Sequence, residues 1–225
     1  MMKKINFWIS SHLPQKWYWY LAGLINPWQA VLEDTSNLEE VYQRSQDIVK
    51  ILEKLNLINK ESLVLDIGCG VGRAELLLSK KVKLCIGIDI SSSMINLAKK
   101  HIKSSHVKFY VTNGNDLKMF DDGKFDLVFS ILVFQHLPGE VFKNYLKESL
   151  RVLKNSGQLA FQIPIYFTQK PEDPPKFHPW ALRFYSLVEL QDLLKRSGFS
   201  QIRFFNSSGD LLKNNQTQAL AVAEK

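Results

Sequence analysis

Short apolar runs alternate with helical repeats along the chain from Leu63 onward. Five runs are typical of buried strands because they are short and rich in apolar and β-branched residues: SLVLDIG, KLCIGIDI, VKFYVTN, KFDLVFSIL and QLAFQIPI. Helical spacing of apolar residues follows the first run in RAELLLSK, the second run over residues 92–103, and the fourth run from Val141 to Leu153. Strands that alternate with helices predict a parallel sheet with helices on both faces.

The C-terminal part of the chain breaks this alternation. The segment SLVELQDLLKRSG has Ser186 and Glu189 at the spacing of a capping box and stops at Gly198, which predicts a helix. The next two segments, SQIRFFN and TQALAVAEK, are separated by a short polar loop. We therefore predict two strands that pair as an antiparallel hairpin at the edge of the sheet.

Two further segments precede the alternating region. SNLEEVYQRSQDIVKILEKLNL predicts a long amphipathic helix with a capping box at Ser36 and Glu39 and a stripe formed by Val41, Ser45, Ile48, Leu52 and Leu55. The segment before it is dense in tryptophan and tyrosine. We divide the chain into an aromatic segment, residues 1–35, expected to act as a lid or to bind a membrane surface or a partner, and a domain at residues 36–225.

Composition narrows the class of protein. The 225 residues are 45% hydrophobic and 23% charged, as expected of one folded domain. A net charge of +7 favours a nucleic-acid or acidic-membrane partner. The lysines, however, are spread along the chain, which is more typical of helix faces exposed to solvent. Cys69 and Cys85 have no metal-site or disulfide spacing, so we expect a reducing, cytoplasmic location and no metal. We find no convincing signal peptide and no transmembrane segment.

The stretch LVLDIGCGVGR has the most informative chemistry. Gly68 and Gly70 match the first two glycines of the dinucleotide fingerprint, but Arg73 stands at the third position and the extra glycine is Gly72. Asp66 precedes the turn, and two like charges about 4 Å apart cost on the order of 4 kcal/mol, so a pyrophosphate is disfavoured. The same carboxylate would stabilise an ammonium group. The turn therefore favours a nucleoside with a cationic tail.

A second carboxylate supports this interpretation. Asp89 ends the second strand, about 20 residues after the turn, where an acid accepts hydrogen bonds from ribose hydroxyls. The alternative is that Asp89 caps the helix that begins in SSSM. The two acids in their strand contexts indicate a nucleoside site more strongly than either does alone.

Five segments, in this order, resemble the class I S-adenosylmethionine-dependent methyltransferases: VLDIGCGVGR, GIDISSSMINLAKK, FDLVFSILVFQHLP, LKESLRVLKNSGQLAFQIP and FYSLVELQDLLKRSGF. The resemblance extends from about Ser45 to the C-terminus and leaves out the N-terminal region. It implies an α/β, Rossmann-like fold with a seven-stranded, mostly parallel sheet, helices on both faces and an antiparallel last strand. It also implies S-adenosyl-L-methionine as the cofactor.

The resemblance assigns a role to each position of the cofactor site. The residues that would hold the methionine part are Asp66, Gly68, Cys69, Gly70 and Gly72. Those that would hold the ribose and flank the adenine are Asp89, Ile90 and Met94. Those that would line the sulfonium end are Ser130, Ile131 and Gln135.

The adenine amino group would meet the segment TNGND, which includes Gly114. The family usually carries an acid at the place of Asn113, whose amide oxygen can still accept a hydrogen bond. Asp116 lies three residues further on. The contact is therefore open between Asn113 and Asp116.

Candidate acceptor chemistry follows the fourth and fifth strands. His136, in FQHLP, is the best-placed general base for a hydroxyl acceptor, and the alternative is that it shapes the pocket or bonds the backbone. Residues 165–186 form the predicted substrate-side loop, which the prolines make extended. Its aromatic and histidine side chains would form the acceptor pocket or pin the loop to the body, and the candidates are Tyr166, His178, Trp180 and Tyr185.

The leading hypothesis is a methyltransferase that acts on a small-molecule or glycan acceptor at oxygen. The first alternative is an RNA methyltransferase, which the charge favours, although no Asn-Pro-Pro-Tyr sequence follows the fourth strand. The second alternative is a cofactor-binding subunit without its own turnover. The sequence does not indicate an oligomeric state.

Overall fold

Seven strands form one sheet in the computed structural model, which describes residues 14–27, 38–172, 181–213 and 216–225, without the side chains of residues 38–44. The strands are β1 (Leu63–Ile67), β2 (Leu84–Asp89), β3 (Val107–Val111), β4 (Phe125–Ser130), β5 (Leu153–Pro164), β6 (Ser200–Phe205) and β7 (Gln218–Glu224). Their order is β3-β2-β1-β4-β5-β7-β6. Strands β1 to β5 pair in parallel, and β7 is antiparallel to both β5 and β6. The predicted α/β, Rossmann-like fold is confirmed.

Helices cover both faces of the sheet. They are α1 (Gln15–Ile25), α2 (Leu38–Lys54), α3 (Glu75–Leu78), α4 (Ser92–His101), α5 (Gly139–Val152) and α6 (Leu187–Arg196), with a 3-10 turn at Phe134–His136. Successive side chains of a strand point to opposite faces. Val64 of β1 packs in a cluster with Leu52 of α2, whereas the adjacent Leu65 packs in a cluster with Phe142 of α5 and Leu190 of α6.

Three predicted boundaries were wrong. The helix after the glycine turn is regular only over the four residues of α3, because residues 71–74 form hydrogen-bonded turns. Strand β5 begins at Leu153, directly after α5, so the predicted NSG loop lies inside the strand, where Ser156 has a φ of 61°. Strand β4 ends at Ser130 and not at Leu132, whose φ of 64° is incompatible with an extended strand.

Local capping signals agree with the structure where it describes them. The Ser186 side chain accepts a hydrogen bond from the Glu189 backbone N–H, and the Glu189 carboxylate accepts one from the Ser186 N–H. Gly198 then adopts a φ of 98°, which ends the helical path. The capping box predicted at Ser36 lies outside the described residues.

The N-terminal helix α1 packs against the start of α4. The Ser91 hydroxyl donates to the Trp19 carbonyl at 3.0 Å, and the Ser93 hydroxyl donates to the Tyr20 carbonyl at 2.7 Å. A Cβ on Gly23 would lie 2.3 Å from the Ser93 Oγ, so only glycine permits this approach. Among the helices of the described ranges, none has the length and hydropathy needed to cross a membrane.

Candidate functional site

A cavity that is open to solvent at its mouth lies at the carboxyl ends of the central strands. The chain runs outward in opposite directions from β1 and β4, and this reversal of strand order leaves a crevice where α/β sheets bind ligands. The wall contains residues that follow each of β1 to β4, and two residues of α1. The lining residues are Gln15, Trp19, Ile67, Gly68, Cys69, Gly70, Arg73, Asp89, Ile90, Met94, Thr112, Gly114, Ile131, Leu132, Val133, His136, Leu137 and Tyr145.

The glycine turn is folded back over the end of β2. The N–H groups of Gly68 and Cys69 both donate to the Ile88 carbonyl, at 2.8 and 3.0 Å. Gly68 has a φ of 84°, and a Cβ there would lie 2.2 Å from Cγ2 of Val133. Gly72, with a φ of 80°, faces away from the cavity, towards Phe109. Of the predicted turn residues, Gly68, Cys69 and Gly70 therefore line the cavity and Gly72 shapes the turn.

Asp89 both holds the turn and lines the cavity. Its carboxylate accepts hydrogen bonds from the Gly70 N–H at 2.9 Å and from the Ser91 N–H at 2.8 Å. Burial raises the pKa of Asp89, and these backbone hydrogen bonds oppose the rise. The N-cap of α4 is Ser91, whose side chain accepts from the Met94 N–H, so the alternative role of Asp89 as the cap is wrong.

The methionine end expected from the resemblance contains a buried cluster of charged groups. Asp66 is 5% exposed and lies behind the cavity wall, whereas Arg73 lines the cavity. The carboxyl of Glu75 is fully buried beside that of Asp66. Burial raises the pKa of Asp66 to about 7, although the neighbouring Glu75 carboxyl and the Arg73 guanidinium oppose the rise. Arg73 and Glu75 were not predicted from the sequence as parts of the site. For Arg73, its position on the glycine turn could have indicated it.

The end of the cavity where the resemblance places the adenine is mostly apolar. Ile90 and Met94 line the cavity as predicted, together with Thr112 and Gly114. Gly114 has a φ of 77°, and a Cβ there would lie 2.6 Å from Cδ1 of Ile90, so a side chain would fill the space against Ile90.

Asn113 and Asp116 do not line the cavity. The Asn113 Oδ1 accepts hydrogen bonds from the N–H groups of Asn115 and Asp116, and its Nδ2 donates to the Asp116 carboxylate at 3.0 Å. Both side chains thus stabilise the turn after β3. The predicted adenine contact at either residue stays a prediction.

The opposite end of the cavity follows β4. Ile131, Leu132, Val133 and Leu137 make this wall apolar, and Ile131 was predicted there. Ser130 is fully buried and its hydroxyl donates to the Ile67 carbonyl at 2.9 Å, so it joins β4 to β1 and does not reach the cavity.

His136 lies in this wall with both ring nitrogens hydrogen-bonded. Its Nδ1 is 3.2 Å from the Ala181 carbonyl, which can only accept, so Nδ1 carries the proton. Its Nε2 is 3.1 Å from Nε2 of Gln135, an amide that donates to it. Burial lowers the pKa of His136, and the nearby Arg183 cation lowers it further, which keeps the ring neutral. Gln135 therefore orients His136 and does not itself line the cavity.

The predicted substrate-side loop reaches the site through its last residues. The Arg183 backbone N–H donates to the Gln135 carbonyl, and its guanidinium donates to the His136 carbonyl at 2.8 Å. Tyr166 instead donates to Glu189, and Tyr185 packs on Phe142, with ring centroids 5.5 Å apart. Neither tyrosine lines the cavity.

Two predicted substrate residues, His178 and Trp180, lie outside the described residues.

Tyr145 of α5 was not predicted from the sequence, but it lines the cavity. Burial raises its pKa. In the described ranges, no cluster of three or more histidine, cysteine, aspartate or glutamate side chains has the arrangement of a metal site.

Comparison with known proteins connects this geometry to a family. Residues 65–161, which include the end of β1, the glycine turn, Asp89 and β4, match the family described as "Methyltransferase domain". The chain carries a class I S-adenosylmethionine-dependent methyltransferase domain. S-adenosyl-L-methionine is thus the cofactor expected in this site.

Curated methyltransferases share sequence with this domain. Phosphoethanolamine N-methyltransferase 2 of Caenorhabditis elegans is 28% identical over 70% of this chain and 37% of its own length. The 2-methyl-6-phytyl-1,4-hydroquinone methyltransferase of Synechocystis is 30% identical over 60% of this chain and 45% of its own length. The chain thus spans less than half the length of these two relatives.

Solved structures share the fold of the domain. The cyclase SpnF superposes with a TM-score of 0.62 and 18% identity, covering 81% of this chain and 82% of that one. Phosphoethanolamine N-methyltransferase 2 of Haemonchus contortus, in complex with S-adenosyl-L-methionine, superposes with a TM-score of 0.58 and 21% identity, covering 72% of this chain and 38% of that one. Since one neighbour is a cyclase, the fold alone does not define the reaction.

Proposed function

We propose that this chain transfers a methyl group from S-adenosylmethionine to an oxygen of a small-molecule or glycan acceptor. The observation that supports this proposal is one cavity with three chemically distinct regions. Arg73 and the buried Asp66 suit an amino-acid group, Asp89 suits a diol, and Ile90 with Met94 suits an adenine. S-adenosylmethionine has these three parts in this order.

The residues present fit this cofactor. Asp89 already accepts two backbone N–H groups, and its remaining lone pairs can accept ribose hydroxyls. The Arg73 guanidinium can pair with the carboxylate of the amino-acid tail, and Asp66 can pair with its ammonium group. A zwitterionic tail therefore adds no net charge to a cluster that already contains both signs.

His136 is the proposed general base for a hydroxyl acceptor. Bound S-adenosylmethionine supplies a methyl group on a positively charged sulfur, so alignment of the acceptor can supply much of the rate. Nε2 of His136, which carries the lone pair, would take up the proton that the acceptor hydroxyl loses on methylation. Gln135 must release that nitrogen first, whereas the hydrogen bond to Ala181 can persist.

The cofactor and acceptor parts of the proposal are tested separately. Isothermal titration with S-adenosylmethionine should give saturable heat, and its absence at millimolar cofactor with folded protein would overturn the cofactor assignment. Methyl transfer from labelled cofactor to hydroxyl acceptors should then fall roughly 100-fold in His136→Asn, with unchanged cofactor affinity. Equal activity of this variant, or transfer to amines alone, would contradict base catalysis at oxygen.

We propose that the N-terminal segment acts as a lid through α1. Gln15 and Trp19 line the cavity, and the Gln15 amide lies 3.5 Å from the His136 carbonyl. The alternative roles, binding to a membrane surface or a partner, would use the outer side of α1, where Trp17 and Ile25 are exposed. We also propose a cytoplasmic location, since the two cysteines are free. A small-molecule or glycan substrate is favoured over a nucleic acid.

Displacement of α1 should weaken cofactor binding. In Gly23→Ala the new Cβ would overlap the Ser93 Oγ and break its hydrogen bond to Tyr20, although alanine favours the helix itself. We expect a roughly tenfold loss of cofactor affinity and faster proteolysis of the N-terminal segment. Leu24→Ala, on the exposed side of the same helix, is the control. Equal effects of the two variants would contradict the lid.

A further inference from the structure

Glu75, the first residue of α3, places a second carboxyl group behind the cofactor cavity. The residue is fully buried, in the space left by Gly87 of β2. A Cβ on Gly87 would lie 2.6 Å from the Glu75 Oε1, so β2 accommodates this side chain only because residue 87 is glycine.

The carboxyl of Glu75 has one neighbour that can complete its hydrogen bonding. Apart from the Asp66 carboxyl and the backbone of Glu75 itself, no group of the described residues is a hydrogen-bond partner of its oxygens. The carboxyl of Asp66 lies beside it. Two carboxylates that face each other without a donor repel, whereas a proton on one of them turns the contact into a charge-assisted hydrogen bond.

We propose that Glu75 is the positioning residue for Asp66: it stays protonated, donates its O–H to the Asp66 carboxylate, and so favours the ionised form of Asp66 and orients it towards the ammonium group of the cofactor. This inference rests on the proposed function, since it concerns the amino-acid end of the same site. Glu75 itself does not line the cavity, so it acts through Asp66.

The surrounding charges agree with a neutral Glu75. The groups that face the pair are Arg73 in the turn, Asp89 at the end of β2, and the buried thiols of Cys69 and Cys85. Arg73 is the one cation among these groups, so its charge can balance only one of the neighbouring carboxylates. Burial and the neighbouring Asp66 raise the pKa of Glu75 well above its usual range.

This arrangement makes cofactor affinity depend on pH. With its pKa raised to about 7, Asp66 is partly protonated at neutral pH, and a bound ammonium group favours its ionised form. Cofactor affinity should therefore fall as the pH drops below about 7 and level off above it. Removing the Glu75 donor should raise the pKa of Asp66 and move this transition to higher pH.

The test compares Glu75→Gln with Glu75→Leu. The binding probe is S-adenosylhomocysteine, which keeps the amino-acid tail, titrated calorimetrically between about pH 6 and pH 9. The glutamine amide can still donate to Asp66, so its affinity should stay within about threefold of the wild type at every pH. Leucine cannot donate, so the transition should move up by about one pH unit, with a roughly fivefold loss at pH 7 that shrinks at pH 9.

Each other outcome has a distinct meaning. A loss in Glu75→Leu that is the same at every pH would show a purely structural role and overturn the proposal. A large loss in Glu75→Gln would show that the negative charge itself is used, which also overturns it, and this variant suffices if Glu75→Leu does not fold. Absence of binding to folded wild-type protein would instead refute the proposed cofactor site.

Discussion

Gly68→Ala is expected to abolish cofactor binding and to lower the free energy of unfolding by about 3 kcal/mol or more. Gly68 has a φ of 84°, which costs alanine about 1–2 kcal/mol, and its new Cβ would lie 2.2 Å from Cγ2 of Val133. Val133 belongs to the wall after β4, so the overlap would push two walls of the cavity apart. The shift would also break the hydrogen bonds of Gly68 and Cys69 to Ile88.

Gly123→Ala separates backbone strain from steric overlap. Gly123 also has a positive φ, 63°, but a Cβ there would meet no atom within 4 Å. We expect a loss of only about 1 kcal/mol and unchanged cofactor affinity. Denaturant unfolding and calorimetric titration measure both quantities. If both variants lost the same stability and both still bound the cofactor, the close approach of the turn to Val133 would not matter.

The central part of the site could be predicted because its signals are local. Asp66, the glycine turn and Asp89 lie within 24 residues, on two strands that pair directly. A glycine that needs a positive φ and an acid at a strand end are recognisable without knowledge of distant contacts. The same holds for the capping box of α6, which depends on Ser186 and Glu189 alone.

Other parts of the site depend on contacts that sequence spacing does not encode. Gln15 reaches the cavity only because α1 packs on α4, and Arg183 reaches His136 across 47 positions of the chain. The adenine contact was left open between Asn113 and Asp116, and the Asn113 amide oxygen already accepts two N–H groups of the turn it begins. Glu75 was missed because a glutamate in an amphipathic helix usually faces solvent, and only Gly87 of β2 makes its burial sterically feasible.

The effect expected at Asp89 is also large but has a different cause. The Asp89 carboxylate accepts the N–H groups of Gly70 and Ser91, and so fixes the turn and the start of α4 while it faces the cavity. In Asp89→Asn one oxygen is replaced by an amide NH₂, which would point a donor at one of these N–H groups. The variant keeps the shape of the side chain and loses both the charge and one acceptor.

Asp89→Asn should therefore lower cofactor affinity roughly 100-fold and stability by about 1–3 kcal/mol. The affinity should fall because the proposed contact to the ribose hydroxyls loses a charged acceptor and the turn that faces the tail also loosens. Asp121 is an exposed acid outside the cavity, and Asp121→Asn should change neither quantity.

A truncated ligand separates the two causes, since adenosine has the ribose but no amino-acid tail. If Asp89 acts mainly through the ribose, adenosine should lose about as much affinity as the full cofactor. Retention of adenosine binding with loss of the full cofactor would show that Asp89 acts chiefly by holding the glycine turn.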